Sequence, residues 1–122
     1  MRIRAIEHVQ LSMPHGGEEQ ARKFYRDLLG IPEIQKPPPL AARGGCWFED
    51  GDLKIHLGVD PDFRPSRKGH PGFLVDGLRP LVSRLSLAGY DVREDDAMKG
   101  FRRAYVDDPF GNRIELMEPA AE

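Results

Sequence analysis

The order of elements in the first half of the chain recurs in the second, and the recurrence keeps register. Residues 3–13 alternate, with Val9, Leu11 and Met13 on one side and His8, Gln10 and Ser12 on the other, as a strand with one polar face does. After MPHGG, the run EEQARKFYRDLLG sets Ala21, Phe24, Leu28 and Leu29 on one helical face. Glu18 and Glu19 fall in its first turn, where the helix dipole favours acids, and Gly30 is a natural stop. The half is completed by a short IPEI segment, a KPPPL loop expected to be neither helix nor central strand, and the β-like runs GCWFED and DLKIHLGV, joined by a hairpin at Asp50 and Gly51. The second half reads the same way. HPGFLV is a strand, and DGLRPLVSRLSLAG is a helix with Leu78, Leu81, Val82, Leu85 and Ala88 on one face and Gly89 as its stop. YDVRE, FRRAYVDDP and NRIELMEP are three strands, the last two joined by the turn DDPFGN.

The spacing supports a repeat. Gly30 and Gly89 are 59 residues apart, and so are His56 and Glu115. His8 and His70 are 62 apart, and the longer MPHGG entry into the first helix accounts for the difference. The expectation is one domain over residues 1–122, built from two βαβββ modules, residues 1–61 and 67–119, neither of which can bury a sheet face alone.

Composition narrows the function classes. Basic residues number 18 and acidic 20, and the balance holds in each half, with 8 against 9 in residues 1–61 and 10 against 11 in 62–122. No nucleic-acid-binding face is expected. Uncharged stretches fall far short of a membrane span, and MRIRAIEHVQ lacks the apolar core of a signal peptide, so a cytoplasmic protein is expected. A lone Cys46 excludes an internal disulfide and a CxxC metal site, and is expected to be a small buried hydrophobe. A chain of this size folds without metal or disulfide staples, so any metal would serve function. Chemistry then falls to His, carboxylates and Arg.

Two pairs of residues occupy equivalent places: His8 and His70 early in the first strands, His56 and Glu115 in the last strands. In DLKIHLGV the apolar Leu53, Ile55 and Leu57 oppose Lys54 and His56, and in NRIELMEP Ile114 and Leu116 oppose Arg113 and Glu115. Around His70 the alternation is weaker, so its place rests on the repeat. The linker DPDFRPSRKGH carries Arg64, Arg67 and Lys68, cations able to meet an anionic group. Only one of Arg102 and Arg103 can point to a given side of its strand; Arg103 joins Arg64, Arg67, Trp47 and Tyr105 as a candidate substrate contact. Trp47, Phe63, Phe101 and Tyr105 line either an apolar pocket or a core.

The segments IEHVQLSM, ARKFYRDLLGI, HPGFLV and above all YVDDPFGNRIELMEP resemble the vicinal oxygen chelate superfamily, which includes glyoxalase I, fosfomycin-resistance proteins, extradiol dioxygenases and metal-free bleomycin-binding proteins. The resemblance covers nearly the whole chain. It implies an α+β fold in which two tandem βαβββ modules curl into a half-open mixed-sheet barrel, helices outside, around a divalent metal, in a protein that is commonly a homodimer. His8, His70 and Glu115 match the family's common ligands and His56 its variable fourth position, where glyoxalase I usually has a carboxylate. Imidazoles with a carboxylate suit Fe(II), Mn, Co, Ni or Zn, and a two-His-one-carboxylate set leaves positions open for substrate oxygens. The implied function is a glyoxalase-like metal-dependent enzyme, of lyase, isomerase or dioxygenase type, that chelates vicinal oxygens of a small substrate, with Glu115 catalytic as ligand or displaced base. The alternative is a metal-free drug-binding protein of the bleomycin-resistance type.

Overall fold

A computed structural model describes residues 1–120. The chain is α+β and divides into two compact units, Met1–Arg64 and Pro65–Glu122. Each unit holds one four-stranded mixed sheet, and the two sheets have the same connectivity.

In the first unit β1 (Val9–Met13) leads into a helix that is α-helical over Glu18–Ala21 (α1) and π-helical over Arg22–Leu28. There follow β2 (Glu33–Ile34), the one-turn helix α2 (Pro38–Ala41), β3 (Cys46–Asp50) and β4 (Leu53–Val59). The sheet order is β1-β4-β3-β2, with β1 parallel to β4 and the other pairs antiparallel. The second unit has β5 (Gly72–Leu74), α3 (Leu78–Leu87), β6 (Arg93–Asp95), β7 (Phe101–Asp107) and β8 (Arg113–Pro119), in the order β5-β8-β7-β6. The repeat read from spacing reappears as strand register: Gln10, two residues after His8, pairs with His56, and Gly72, two residues after His70, pairs with Glu115.

Alternation decides which side of each sheet is buried. Cys46, Phe48, Ile55 and Leu57 are buried in the first unit, and Ala104, Val106, Ile114 and Leu116 in the second. From the first helix Ala21, Phe24 and Tyr25 are buried, Tyr25 stacking on Phe48 with centroids 5.5 Å apart. Burial pushes the Cys46 thiol up to about 11, which leaves it protonated and unreactive at neutral pH.

Several local expectations need correction. The first strand does not span residues 3–13. Val9 pairs with Ile55, and β4 begins at Leu53, so the residues before Glu7 have no strand to pair with in this sheet. KPPPL is not wholly loop: Pro38–Ala41 makes a helical turn, because first-turn N–H groups have no intrahelical acceptor and prolines there forfeit nothing. Leu28 and Leu29 are only half-buried, since the π-helical stretch turns less per residue than an α-helix and gives Tyr25 the core position. In α3, Leu78 and Leu85 are buried and Leu81 and Val82 half-buried, but Ala88 is exposed. The strand expected at YDVRE begins only at Arg93.

Both helix stops behave as read. Gly89 has φ 94°, with Tyr90 N–H donating to Leu85 O at 3.0 Å and Gly89 N–H to Ser86 O at 3.0 Å, a Schellman ending. Gly30 has φ 78°, and Ile31 N–H reaches back to Tyr25 O at 3.0 Å. No helix among the described residues is long and apolar enough to cross a membrane.

Two carboxylates tie backbone segments together. Glu118 on β8 accepts from Gly77 N–H at 2.8 Å and Leu78 N–H at 2.9 Å at the start of α3, whose N-cap Gly77 has no side chain to do so. Those bonds, from Leu78 and then Gly77, hold its carboxyl below the usual range. Gly45 N–H donates to Glu18 at 3.0 Å and lowers that carboxyl likewise. A group with a depressed folded pKa stabilises above its unfolded value, about 4.3 for Glu, and loses that contribution as pH falls through the folded value. Glu118→Gln is therefore expected to lower Tm by several degrees at neutral pH, with the gap to the parent closing as the pH is taken down to about 3. Thermal melts across that range check it, and a gap undiminished in acid contradicts the role.

Candidate functional site

The polar faces of the two sheets carry the candidate residues, and each unit brings its first-strand histidine against its own last-strand candidate. In the second unit His70 lies just before β5 and Glu115 in the middle of β8, where Glu115 N–H donates to Pro71 O at 3.0 Å. His70 Nε2 is 2.9 Å from Glu115 Oε1. Its other nitrogen, Nδ1, is 2.8 Å from the Lys68 carbonyl. A carbonyl only accepts, so Nδ1 carries a hydrogen. A neutral ring then turns a bare Nε2 lone pair toward a carboxylate oxygen, and two lone pairs at that distance need a cation between them, either a proton or a metal ion. Anchoring one ring nitrogen on a backbone carbonyl is the arrangement that orients the other for a metal.

Glu115 is buried, and its second oxygen, Oε2, accepts from Arg103 Nη1 at 3.0 Å. Burial pushes the Glu115 carboxyl up, but hydrogen bonds from His70 and Arg103 outweigh it and hold the group below its ordinary value. Arg103 is shared further: Nη1 also donates to the Tyr105 hydroxyl at 3.1 Å, and Nη2 lies 3.2 Å from Asp95 Oδ1. Tyr105 is the cross-strand partner of Glu115, which explains the grouping of Arg103, Tyr105 and Glu115 on one face. The His70 ring stands edge-on to Tyr105, centroids 5.6 Å apart, and the Arg113 guanidinium lies 4.4 Å from the Tyr105 ring centre.

In the first unit His56 is buried on β4, between β1 and β3. Trp47, its cross-strand partner, stacks on it at 3.9 Å between centroids and 2° between planes, and His8 stacks at 4.6 Å and 19°. His56 Nε2 is 2.8 Å from Glu49 Oε2. His8 is exposed, with Nδ1 3.2 Å from Glu7, and Glu7 pairs in turn with Lys54. In each unit a histidine Nε2 meets a carboxylate oxygen, Glu115 for His70 and Glu49 for His56, and His70 also has its Nδ1 held by the Lys68 carbonyl. Among the described residues no group of three or more His, Cys, Asp or Glu side chains gathers closely enough to hold an ion.

Arg64 and Arg67 are exposed, one at the end of the first unit and the other near the start of the second. Arg103, read from sequence as a substrate contact, is engaged with Glu115. Glu49 escaped the reading of the sequence, although counting back from the Asp50–Gly51 turn pairs Trp47 with His56 and puts Glu49 on their face. The turn before β8 also holds more than was read from DDPFGN. Buried Asp108 accepts from Phe110 N–H at 2.9 Å and Asn112 N–H at 2.8 Å through Oδ1, and from Asn112 Nδ2 at 2.9 Å through Oδ2.

A family model described as the glyoxalase/bleomycin resistance protein/dioxygenase superfamily matches residues 5–116. A glyoxalase family protein from Bacillus anthracis is 45% identical, with a TM-score of 0.94 over 98% of each chain. FosX, a genomically encoded fosfomycin resistance protein from Listeria monocytogenes, shares the fold at 16% identity and a TM-score of 0.78, over 98% of this chain and 96% of its own. A lactoylglutathione lyase from Agrobacterium tumefaciens does so at 21% and 0.75, over 96% and 95%. No curated protein matches the sequence.

Proposed function

The chain belongs to the glyoxalase/bleomycin resistance protein/dioxygenase superfamily, and from that premise we propose that it is a metal-dependent member acting on a small molecule with neighbouring oxygens. His70 and Glu115, both in the second unit, form the core of the proposed metal centre. The observation that supports this is the pinned imidazole: with Nδ1 held at 2.8 Å by Lys68 O, Nε2 and Glu115 Oε1 face each other across 2.9 Å.

A divalent ion there would polarise adjacent substrate oxygens as a Lewis acid. The chain's own residues set the rest. Arg103 occupies Glu115 Oε2 and leaves Oε1 as the oxygen directed at the site. The depressed pKa keeps Glu115 ionised at neutral pH, which suits a ligand better than a general base, whose pKa works best near the operating pH. The Tyr105 hydroxyl accepts from Arg103 and so can turn its own hydrogen toward a substrate oxygen. Arg67, three residues before His70, supplies an exposed cation for an anionic group.

One feature favours the second reading, a metal-free binding protein: Arg103 already neutralises Glu115 without an ion. Thermal unfolding of chelator-treated protein with Mn, Fe(II), Co, Ni or Zn added in turn separates the two. An ion at about 100 times its dissociation constant adds about 2.7 kcal/mol, a rise in Tm on the order of 10 °C for a domain of this size. A metal-selective rise is expected; no rise with any of the five favours the metal-free reading.

A further inference from the structure

The first unit holds a cavity of about 150 Å³ whose lining has one sign of charge. It opens beside β4, where Gln10, Trp47, Leu57, Gly58 and Val59 meet the segment around α2. Lys36 and Arg43 line it, and none of its lining residues is acidic. Lys36 is not a loose surface cation: its ammonium donates to the Gly44 carbonyl, which fixes the head of the side chain at the cavity and leaves further N–H donors. Arg43 sits one residue before a glycine pair that cannot be replaced without distortion. Gly45 has φ 84°, and a Cβ there would lie 2.0 Å from Leu57 O, so the loop carrying Arg43 is held hard against β4. Gln10 is positioned by a missing side chain, since a Cβ on Gly58 would stand 2.5 Å from Gln10 Nε2. The remaining walls, Leu40, Leu57, Val59 and Trp47, are apolar.

Two cations and an amide at a small cavity with apolar walls recognise an oxyanion carried on a compact apolar body. About 150 Å³ is room for a benzene-sized group. We infer that this cavity binds small carboxylates built on a body no larger than a six-membered ring, with Arg43 and Lys36 taking the carboxylate and Trp47, Leu40 and Val59 flanking the body. The inference goes beyond the reading above and stands on the first unit alone. Trp47, which lines the cavity, is held there by stacking on His56.

Trp47 is also the one tryptophan in the chain, so intrinsic fluorescence reports on this wall. The test titrates chelator-treated full-length protein with benzoate, with its neutral isostere benzamide, and with acetate, which has the head group without the ring. Benzoate is expected to change Trp47 emission saturably, at least about tenfold more tightly than either comparison compound. Arg43→Gln, at an exposed position, should weaken benzoate about tenfold and leave benzamide within about twofold. Arg43→Gln should keep the parent's metal-induced rise in Tm, so a failed metal centre and a failed carboxylate pocket give different results. Equal affinity for benzoate and benzamide, no saturable change, or indifference to Arg43→Gln would each overturn the inference.

Discussion

Glu115→Gln is expected to abolish metal retention while the protein stays folded. Loss of the groups that merely orient a ligand typically costs about 10- to 100-fold in metal affinity, so loss of the carboxylate ligand itself should cost at least about 100-fold. Glutamine is the informative substitution because its amide oxygen still accepts from Arg103 Nη1, which in the parent lies 3.0 Å from Oε2. Alanine would take from that guanidinium, only 10% exposed, its buried carboxylate partner, and the resulting instability would obscure the reading. Metal content after dialysis, measured beside a circular dichroism spectrum, gives the answer. A folded Glu115→Gln protein with the parent's metal content removes Glu115 from the centre.

The largest effect on stability should come from a residue that touches no candidate ligand. Asp108 has almost no exposed surface and holds the turn into β8 through three N–H donors. Removing that acceptor takes three hydrogen bonds from the turn, so Asp108→Ala should cost about 3 kcal/mol and lower Tm on the order of 10 °C. Asp108→Asn, nearly isosteric, should recover little. One of its two terminal groups becomes an NH2, and Oδ1 and Oδ2 both face donors, so any rotamer sets donor against donor. Denaturant or thermal unfolding of the two variants tests this, and a loss below about 1 kcal/mol for Asp108→Ala would contradict it. Because the turn delivers β8, the same variants should also weaken metal binding through Glu115.

The repeat was the legible part of the fold because it is written in features with short-range causes. Helix stops need glycine at positive φ, and strands with one buried face need alternation, so the 59-residue spacing of Gly30 to Gly89 and of His56 to Glu115 could be read without knowing the fold. Register then matched it, with Gln10 beside His56 and Gly72 beside Glu115. What escaped notice depends on neighbours distant in sequence. The π-helical turn over Arg22–Leu28 leaves no mark on the apolar spacing beyond the unexpected burial of Tyr25. The N-terminal strand was drawn too long because alternation continues past the point where β4 has begun. At the candidate site, residue types were legible and their partners less so. Arg103 read as a cation free for substrate, yet its place one step along β7 from the Tyr105–Glu115 pair makes Glu115 its nearest counter-charge. The cavity at Lys36 and Arg43 was hidden in a segment read as connector, where no periodicity constrains the side chains.

The central claim is that the pinned His70 imidazole and Glu115 bind a divalent ion, and X-ray absorption at the edge of the bound metal tests it most directly. Protein loaded with whichever ion raises Tm should show the outer-shell scattering of imidazole, and His70→Ala should reduce that signal. A bound ion without imidazole scattering, or with scattering unchanged in His70→Ala, would contradict the account.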